Sequence, residues 1–443
     1  MTFVDRMMLN HWSGAAMSAA FVGGVIWWAV ICLPLGVASY VGTFVAQYHG
    51  SKQSLRIGPA VWQGVWVSAA VSPLLLALTP FAEDVFRLAG HSGKTAELEG
   101  SYFAILCLSS PAMLFSAALS CFWSGRGKTV LVMIVDALFA GVNLLLDWCW
   151  IFGLTLPMNG TEIEIFPAAG IEGAAWATTV AMWLKAGVYL ALMLAKVNRE
   201  TYAANLWRPE RELLRRVLWF GTPSGVQMLL DVAGFTAFVL IVAKLGATAG
   251  EATSMTFSIG HLAFMPIVGF GMAASILVGQ HLGENRDSEA ARATWTSLQV
   301  SWVYMAAISA AFVFTPQLFL AGFYAGEPID GDAERRVEVA ATAATLLYFV
   351  AGYNLLDAMA IVFASALKGA GDTRFILFIS LIMAPILGVS TWVAVEVFAL
   401  GVYGCWAVVA VWIGVLAMIY LARFLHGAWR SMRVIEPTPI ESA

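Results

Sequence analysis

The chain has 443 residues, of which 60% are hydrophobic and 12% charged, with a formal net charge of −4 and a mean hydropathy of +0.79. So large an apolar fraction excludes a soluble fold, and most of the chain must face lipid or other apolar helices. The acidic balance leaves no basic stripe, which excludes nucleic acid as a partner.

In chain order, Asp5 and Arg6 stand where a cleavable signal peptide would carry a basic region and an apolar run. A partial apolar run ends near Gly14. Complete runs of spanning length begin near Ala15, Ile57, Ser101, Thr129, Gly170, Val217, Ala249, Ala290, Val337, Thr373 and Gly401. The partial run covers about 18 Å of a hydrocarbon core about 30 Å thick, so about 15–20 apolar residues are expected upstream of Met1. The expected architecture is all-α and polytopic, with twelve transmembrane helices of which the first is truncated. Residues 1–197 form one six-helix lobe, 198–213 a cytoplasmic linker that tethers the lobes, 214–430 a second six-helix lobe and 431–443 a cytoplasmic tail.

Trp27, Trp28, Trp148, Trp150 and Trp392 read as interfacial anchors. Cys32, Cys107, Cys121, Cys149 and Cys405 lie in apolar segments without metal-binding spacing and read as small core residues. With the N-terminus inside, the inner joints carry seventeen Lys and Arg, whereas the outer joints hold only Arg87, Lys94, Lys244, Arg335 and Arg336. The positive-inside rule then puts both termini in the cytoplasm of a cell-membrane protein. In that orientation Asn159-Gly160-Thr161 is a glycosylation sequon on an outer loop.

The chain matches itself three times in the same order. Gly36-x8-Val45-Ala46-Gln47-x2-Gly50 lies over Gly269-x8-Val278-Gly279-Gln280-x2-Gly283, Gly125-Arg126-Gly127-Lys128-Thr129 over Gly369-Ala370-Gly371-Asp372-Thr373, and Gly170-x2-Gly173 over Gly401-x2-Gly404. A duplicated six-helix unit follows, with both copies in the same orientation around a central substrate cavity. The duplication also disposes of two motifs. Gly127-Lys128-Thr129 lacks the earlier glycine and the strand of a phosphate loop, since Phe122 holds the glycine position. Gly369-Ala370-Gly371-Asp372 matches the GxGD string of intramembrane aspartyl proteases, but its copy carries Lys128 in place of Asp372, which points to a structural turn.

Ionisable groups within apolar runs are costly and mark function. They are Asp5, Arg6, Asp136, Asp147, Lys185, Asp231 and Asp357. Asn143 and Asp147 share a helix face at i, i+4. Counted from the outer helix ends, Asp5, Asp147 and Thr178 lie about 13, 9 and 12 Å deep, one level contributed by three helices. Asp5 and Asp147, supported by Asn143 and Thr178, are therefore the expected coupling-ion site. Asp136 and Lys185 suit a structural ion pair, Arg6 can snorkel, and His261 reads as a hydrogen-bonded core residue.

These features together resemble the multidrug and toxic compound extrusion (MATE) family over essentially the whole chain. Phe3-Val4-Asp5 with Ser13-Gly14-Ala15 is similar to its first-helix motif, and Val45-Ala46-Gln47 to Gly50 to the end of its second helix. Asn143-Leu144-Leu145-Leu146-Asp147 to Ile151-Phe152-Gly153, Gly173-Ala174-Ala175 to Thr178, and Leu367-Lys368-Gly369 to Asp372-Thr373 resemble three further signatures. Asp231 and Asp357 match the acidic positions of the seventh and tenth helices.

The resemblance implies two six-helix lobes arranged as a V, and cation-coupled export of amphipathic, often cationic compounds. It implies an N-lobe ion site at Asp5, Asn143, Asp147 and Thr178, with Asp231 and Asp357 as C-lobe counterparts. The coupling ion is a proton or a sodium ion, the latter held by Asp5, Asn143 and Asp147; no other metal and no cofactor are expected. Arg6 departs from the family's uncharged residue and would favour protons. The expected partners are small organic molecules and the bilayer, with the chain acting as a monomer.

A lipid-linked oligosaccharide flippase of the wider superfamily would need a more basic interior. Here Asp5, Asp136, Asp147, Asp231 and Asp357 outnumber Arg6 and Lys185, which favours cationic cargo. An intramembrane aspartyl protease would be the enzymatic rival, but the duplication repeats the helices without repeating a catalytic motif.

Overall fold

The computed structural model describes residues 5, 8, 9, 11–158, 161–321 and 333–436. Among them, eleven helices are long and apolar enough to cross a membrane. Helical residues 5, 8, 9, 11 and 12 precede α1 (Gly14–Ser39), which is followed at once by α2 (Val41–Gly50). Then come α3 (Ile57–Leu76), the short α4 (Ala82–Leu88), α5 (Gly93–Ser124), α6 (Thr129–Ile151), α7 (Gly170–Met193) and the short α8 (Lys196–Tyr202). The later helices are α9 (Arg211–Ala243), α10 (Ala247–Gly283), α11 (Asp287–Phe314), the short α12 (Pro316–Ala321), α13 (Ala333–Ala370), α14 (Thr373–Glu396) and α15 (Gly401–His426). Helices beginning at Ile57, Thr129, Gly170, Thr373 and Gly401 start where the apolar runs start. Others begin earlier, because a polar first turn can extend a helix beyond the apolar edge.

Two compact units divide the chain, Met1–Gly225 and Val226–Ala443. Within the first, α5 is central and packs on α1, α3 and α7; within the second, α13 packs in the same way on α10, α11 and α15. The equivalence of these packings is what the internal repeat requires.

One element is added to the expected helices, and one expectation is corrected. The connector after α6 contains an antiparallel hairpin, β1 (Leu154–Met158) paired with β2 (Thr161–Phe166). The alternation in Thr161-Glu162-Ile163-Glu164-Ile165-Phe166 suits a strand, and Asn159 and Gly160 of the glycosylation sequon lie outside the described residues. Most of residues 323–336 also lies outside the described residues. Trp27 is not an anchor: it is 3% exposed and its indole N–H donates to Ser110 Oγ at 2.9 Å, tying α1 to α5. Trp148 and Trp392 do have exposed rings.

Residues 198–213 are the segment expected as a cytoplasmic linker that tethers the lobes. They are fastened to the first unit. The indoles of Trp62 and Trp66 donate to the backbone carbonyls of Ala204 (2.8 Å) and Trp207 (2.6 Å), Gln63 Oε1 accepts the Glu210 N–H at 3.2 Å, and Arg56 pairs with Glu210 at 2.7 Å. Arg126, 6% exposed, lies between the rings of Phe122 and Tyr202, 3.8 and 4.2 Å from their centroids. Burial lowers the pKa of this guanidinium, an effect that Tyr202 opposes. The boundary between the units falls beyond this segment, inside α9.

Candidate functional site

Helix α6 buries only Val135, Phe139, Asn143, Asp147 and Ile151. The spacing of four keeps these residues on one narrow stripe, while Met133, Ile134, Leu138, Leu145 and Trp148 are exposed around it. Two of the five buried positions are polar. The polar pair thus sits within an otherwise apolar buried stripe, while the exposed face is largely apolar, unlike that of a soluble amphipathic helix.

Asn143 and Asp147 meet α7 and the helical residues ahead of α1. Asn143 Nδ2 donates to Thr178 Oγ1 at 3.2 Å, and Thr178 Oγ1 donates to Asp5 Oδ2 at 2.9 Å. The Asp5 and Asp147 carboxyls are within hydrogen-bonding reach of each other. Asp5, Asn143 and Asp147 are 0% exposed and Thr178 1%. The crossing of α6 and α7 is set one turn away by Gly173, where a Cβ would lie 2.4 Å from the Trp150 carbonyl oxygen. Only glycine permits this approach, and the approach brings Thr178 level with Asp147.

Among the described residues, Asp5 Oδ1, Asn143 Oδ1 and both Asp147 oxygens are buried without a hydrogen-bond donor. Carboxylates are acceptors only, so neither acid can satisfy the other unless a proton or a cation joins them. Unpartnered carboxylate and amide oxygens of this kind can be ligands of a small hard cation or share a proton. Arg6 lies outside the described residues.

The MatE family model matches residues 1–149 and 223–393, which covers most of both units. The chain belongs to the MATE family. Relatives include the Multidrug resistance protein NorM of Aliivibrio fischeri, 26% identical over 420 residues, covering 92% of this chain and 86% of that protein. The Multidrug resistance protein MdtK of Proteus mirabilis is 27% identical over 395 residues, covering 88% and 81%. Two solved structures share the fold at 18% identity, each covering 97% of this chain and 92% of the other. One is an outward-facing multidrug resistance MATE family transporter of the MOP superfamily, with TM-score 0.83, and the other the eukaryotic MATE transporter AtDTX14, with TM-score 0.81. The protein is thus a multi-pass membrane transporter.

The remaining interior charges of this MATE transporter occupy separate settings. Lys185 Nζ lies 3.4 Å from Asp136 Oδ1, which also accepts the Tyr189 hydroxyl at 3.1 Å, and the Asp136 side chain is 51% exposed. In the second unit Asp231 accepts from Gln227 Nε2, one turn earlier on α9, and from Ser380 Oγ at 3.4 Å on α14. The Lys368 ammonium is within electrostatic range of it. Asp357 lies on α13 one turn after Tyr353, within electrostatic range of it. No hydrogen bond or ion pair joins Asp231 to Asp357 among the described residues.

Gln227, Lys368 and Ser380 were not singled out in the sequence. The i, i+4 spacing of Gln227 and Asp231 was a usable signal, but Lys368 sits in the last turn of its helix and counts as a joint residue in the sequence. His261 is exposed and stacks on Phe264 at 6.2 Å, not hydrogen-bonded in a core. Asp372, the acid of the GxGD string, is held by Arg423 Nε at 2.7 Å. The cysteines are free, four of them buried and Cys149 half-buried.

Proposed function

We propose that this MATE transporter exports small amphipathic, cationic organic compounds in exchange for protons or sodium ions, with Asp5, Asn143, Asp147 and Thr178 holding the coupling ion. The observation that carries this reading is the set of four buried oxygens without donors in the first unit. Two acids in one dry site bind a cation or proton strongly from one side of the membrane, and its release on the other side restores their mutual repulsion. Asp231 and Asp357 supply negative charge in the second unit for a cationic cargo, and the drug-resistance names of the relatives support the same substrate class. The protein acts as a monomer in the plasma membrane, with both ends cytoplasmic.

The test is efflux of a fluorescent lipophilic cation from proteoliposomes in which the proton and sodium gradients are imposed separately. Transport driven by one of them, saturable in that ion and lost in Asp5→Asn, is the expected result. Efflux indifferent to both gradients refutes the antiport mechanism. Cation-independent transport of a lipid pyrophosphate would instead support the flippase alternative.

A further inference from the structure

Helix α9 begins with Arg211 and carries Arg215 one turn later. Both side chains are exposed, and neither has a hydrogen-bond or ion-pair partner among the described residues. The carboxylate next to them in sequence, Glu210, is committed to Arg56 at 2.7 Å, and Glu212 lies about 100° around the helix from Arg211. From the two arginines the same stripe continues through Leu214, Leu218, Trp219 and Pro223, along a groove of about 620 Å³. Trp219 is 51% exposed and Leu218 40%. The stripe from Arg211 to Pro223 is about 18 Å long at the helical rise. One end is doubly cationic, and beyond it the lining is apolar apart from the exposed Thr222.

We infer that this groove binds one anionic phospholipid of the inner leaflet, the two guanidinium groups gripping its phosphate and the Leu214–Pro223 stripe taking the first part of an acyl chain. Guanidinium groups match phosphate oxygens with paired hydrogen bonds, and charge complementarity favours a net negative headgroup over a zwitterionic one. An inner-leaflet location rests on the orientation proposed above, but lipid selectivity is measured without transport, so failure of either leaves the other intact. Surface cations near a headgroup each raise affinity about fivefold, which makes the pair worth about 30-fold.

The test uses the purified full chain, delipidated in mild detergent and titrated with phosphatidylglycerol or phosphatidylcholine of identical acyl chains, with bound lipid counted by native mass spectrometry. Phosphatidylglycerol should bind about 30-fold more tightly. Arg211→Gln with Arg215→Gln should remove the preference, whereas Arg211→Lys with Arg215→Lys should keep most of it, which separates loss of charge from loss of fold. Arg286→Gln, at an arginine paired with Glu284 in the second unit, should leave the preference unchanged. Equal binding of the two lipids by the unaltered chain overturns the inference, as does a preference that survives the double glutamine change. Competition by inorganic phosphate as potent as the lipid would also overturn it, by showing an anion site with no use for the acyl chain.

Discussion

Replacing Asp147 by asparagine removes one of the two carboxylates from the polar centre of the first unit and changes almost nothing else. A monovalent cation about 4 Å from a carboxylate gains about 4 kcal/mol at an effective dielectric constant of 20. Losing one of the two carboxylates therefore weakens cation binding by up to about a thousandfold. Folding should be preserved, because the new amide has the same shape and its N–H can donate to Asp5 Oδ1, an oxygen that now has no donor. A change in stability within about 1 kcal/mol is expected. The assay is gradient-driven efflux from proteoliposomes over a series of sodium concentrations and external pH values, with melting temperature measured on the same preparation. Asp147→Asn and Asp5→Asn should each abolish gradient dependence, and the double change should be no worse than either, since both acids serve one ion. An Asp147→Asn protein that exports cargo with unaltered dependence on sodium and pH refutes the site and directs attention to Asp231 and Asp357.

Gly173→Ala places a methyl group 2.4 Å from the Trp150 carbonyl oxygen, forcing α6 and α7 apart; a loss of about 1–3 kcal/mol in thermal unfolding and weaker ion dependence are expected. Trp62→Phe leaves the Ala204 carbonyl without its indole donor at a cost of about 1–3 kcal/mol, and limited proteolysis should then cut faster between 198 and 210. Asp136→Asn breaks a partly exposed pair with Lys185, worth at most about 1 kcal/mol, and should leave the ion dependence of efflux unchanged.

Much of the candidate site was legible because helical geometry is local. The i, i+4 spacing of Asn143 and Asp147 put them on one face, and counting residues from helix ends put Asp5 and Thr178 at the same depth. Counting gives depth but not azimuth, so the hydrogen-bonded order from Asn143 through Thr178 to Asp5 had to come from packing. Azimuth also explains the errors. Trp27 and Trp148 are alike in sequence as aromatic residues in apolar runs, yet one points at Ser110 and the other outward.

The linker shows the same division. Its charges suggested a cytoplasmic tether, whereas what fastens it is its own backbone carbonyls, invisible to residue type, accepting from indoles some 140 positions earlier. By itself the sequence determined the membrane class, the number of complete apolar runs, the starts of five of the helices, the duplication and the list of acids that lipid would not tolerate. These follow from hydrophobic length and helical periodicity, properties of short stretches of chain. The tertiary structure alone decided which acids meet and which are neutralised: Asp147 meets Asp5 with no cation among the described residues, Asp136 meets Lys185, and Asp231 meets Gln227 and Ser380. Those partners are set by the rotation of each helix about its axis, which depends on where small residues such as Gly173 let two backbones touch.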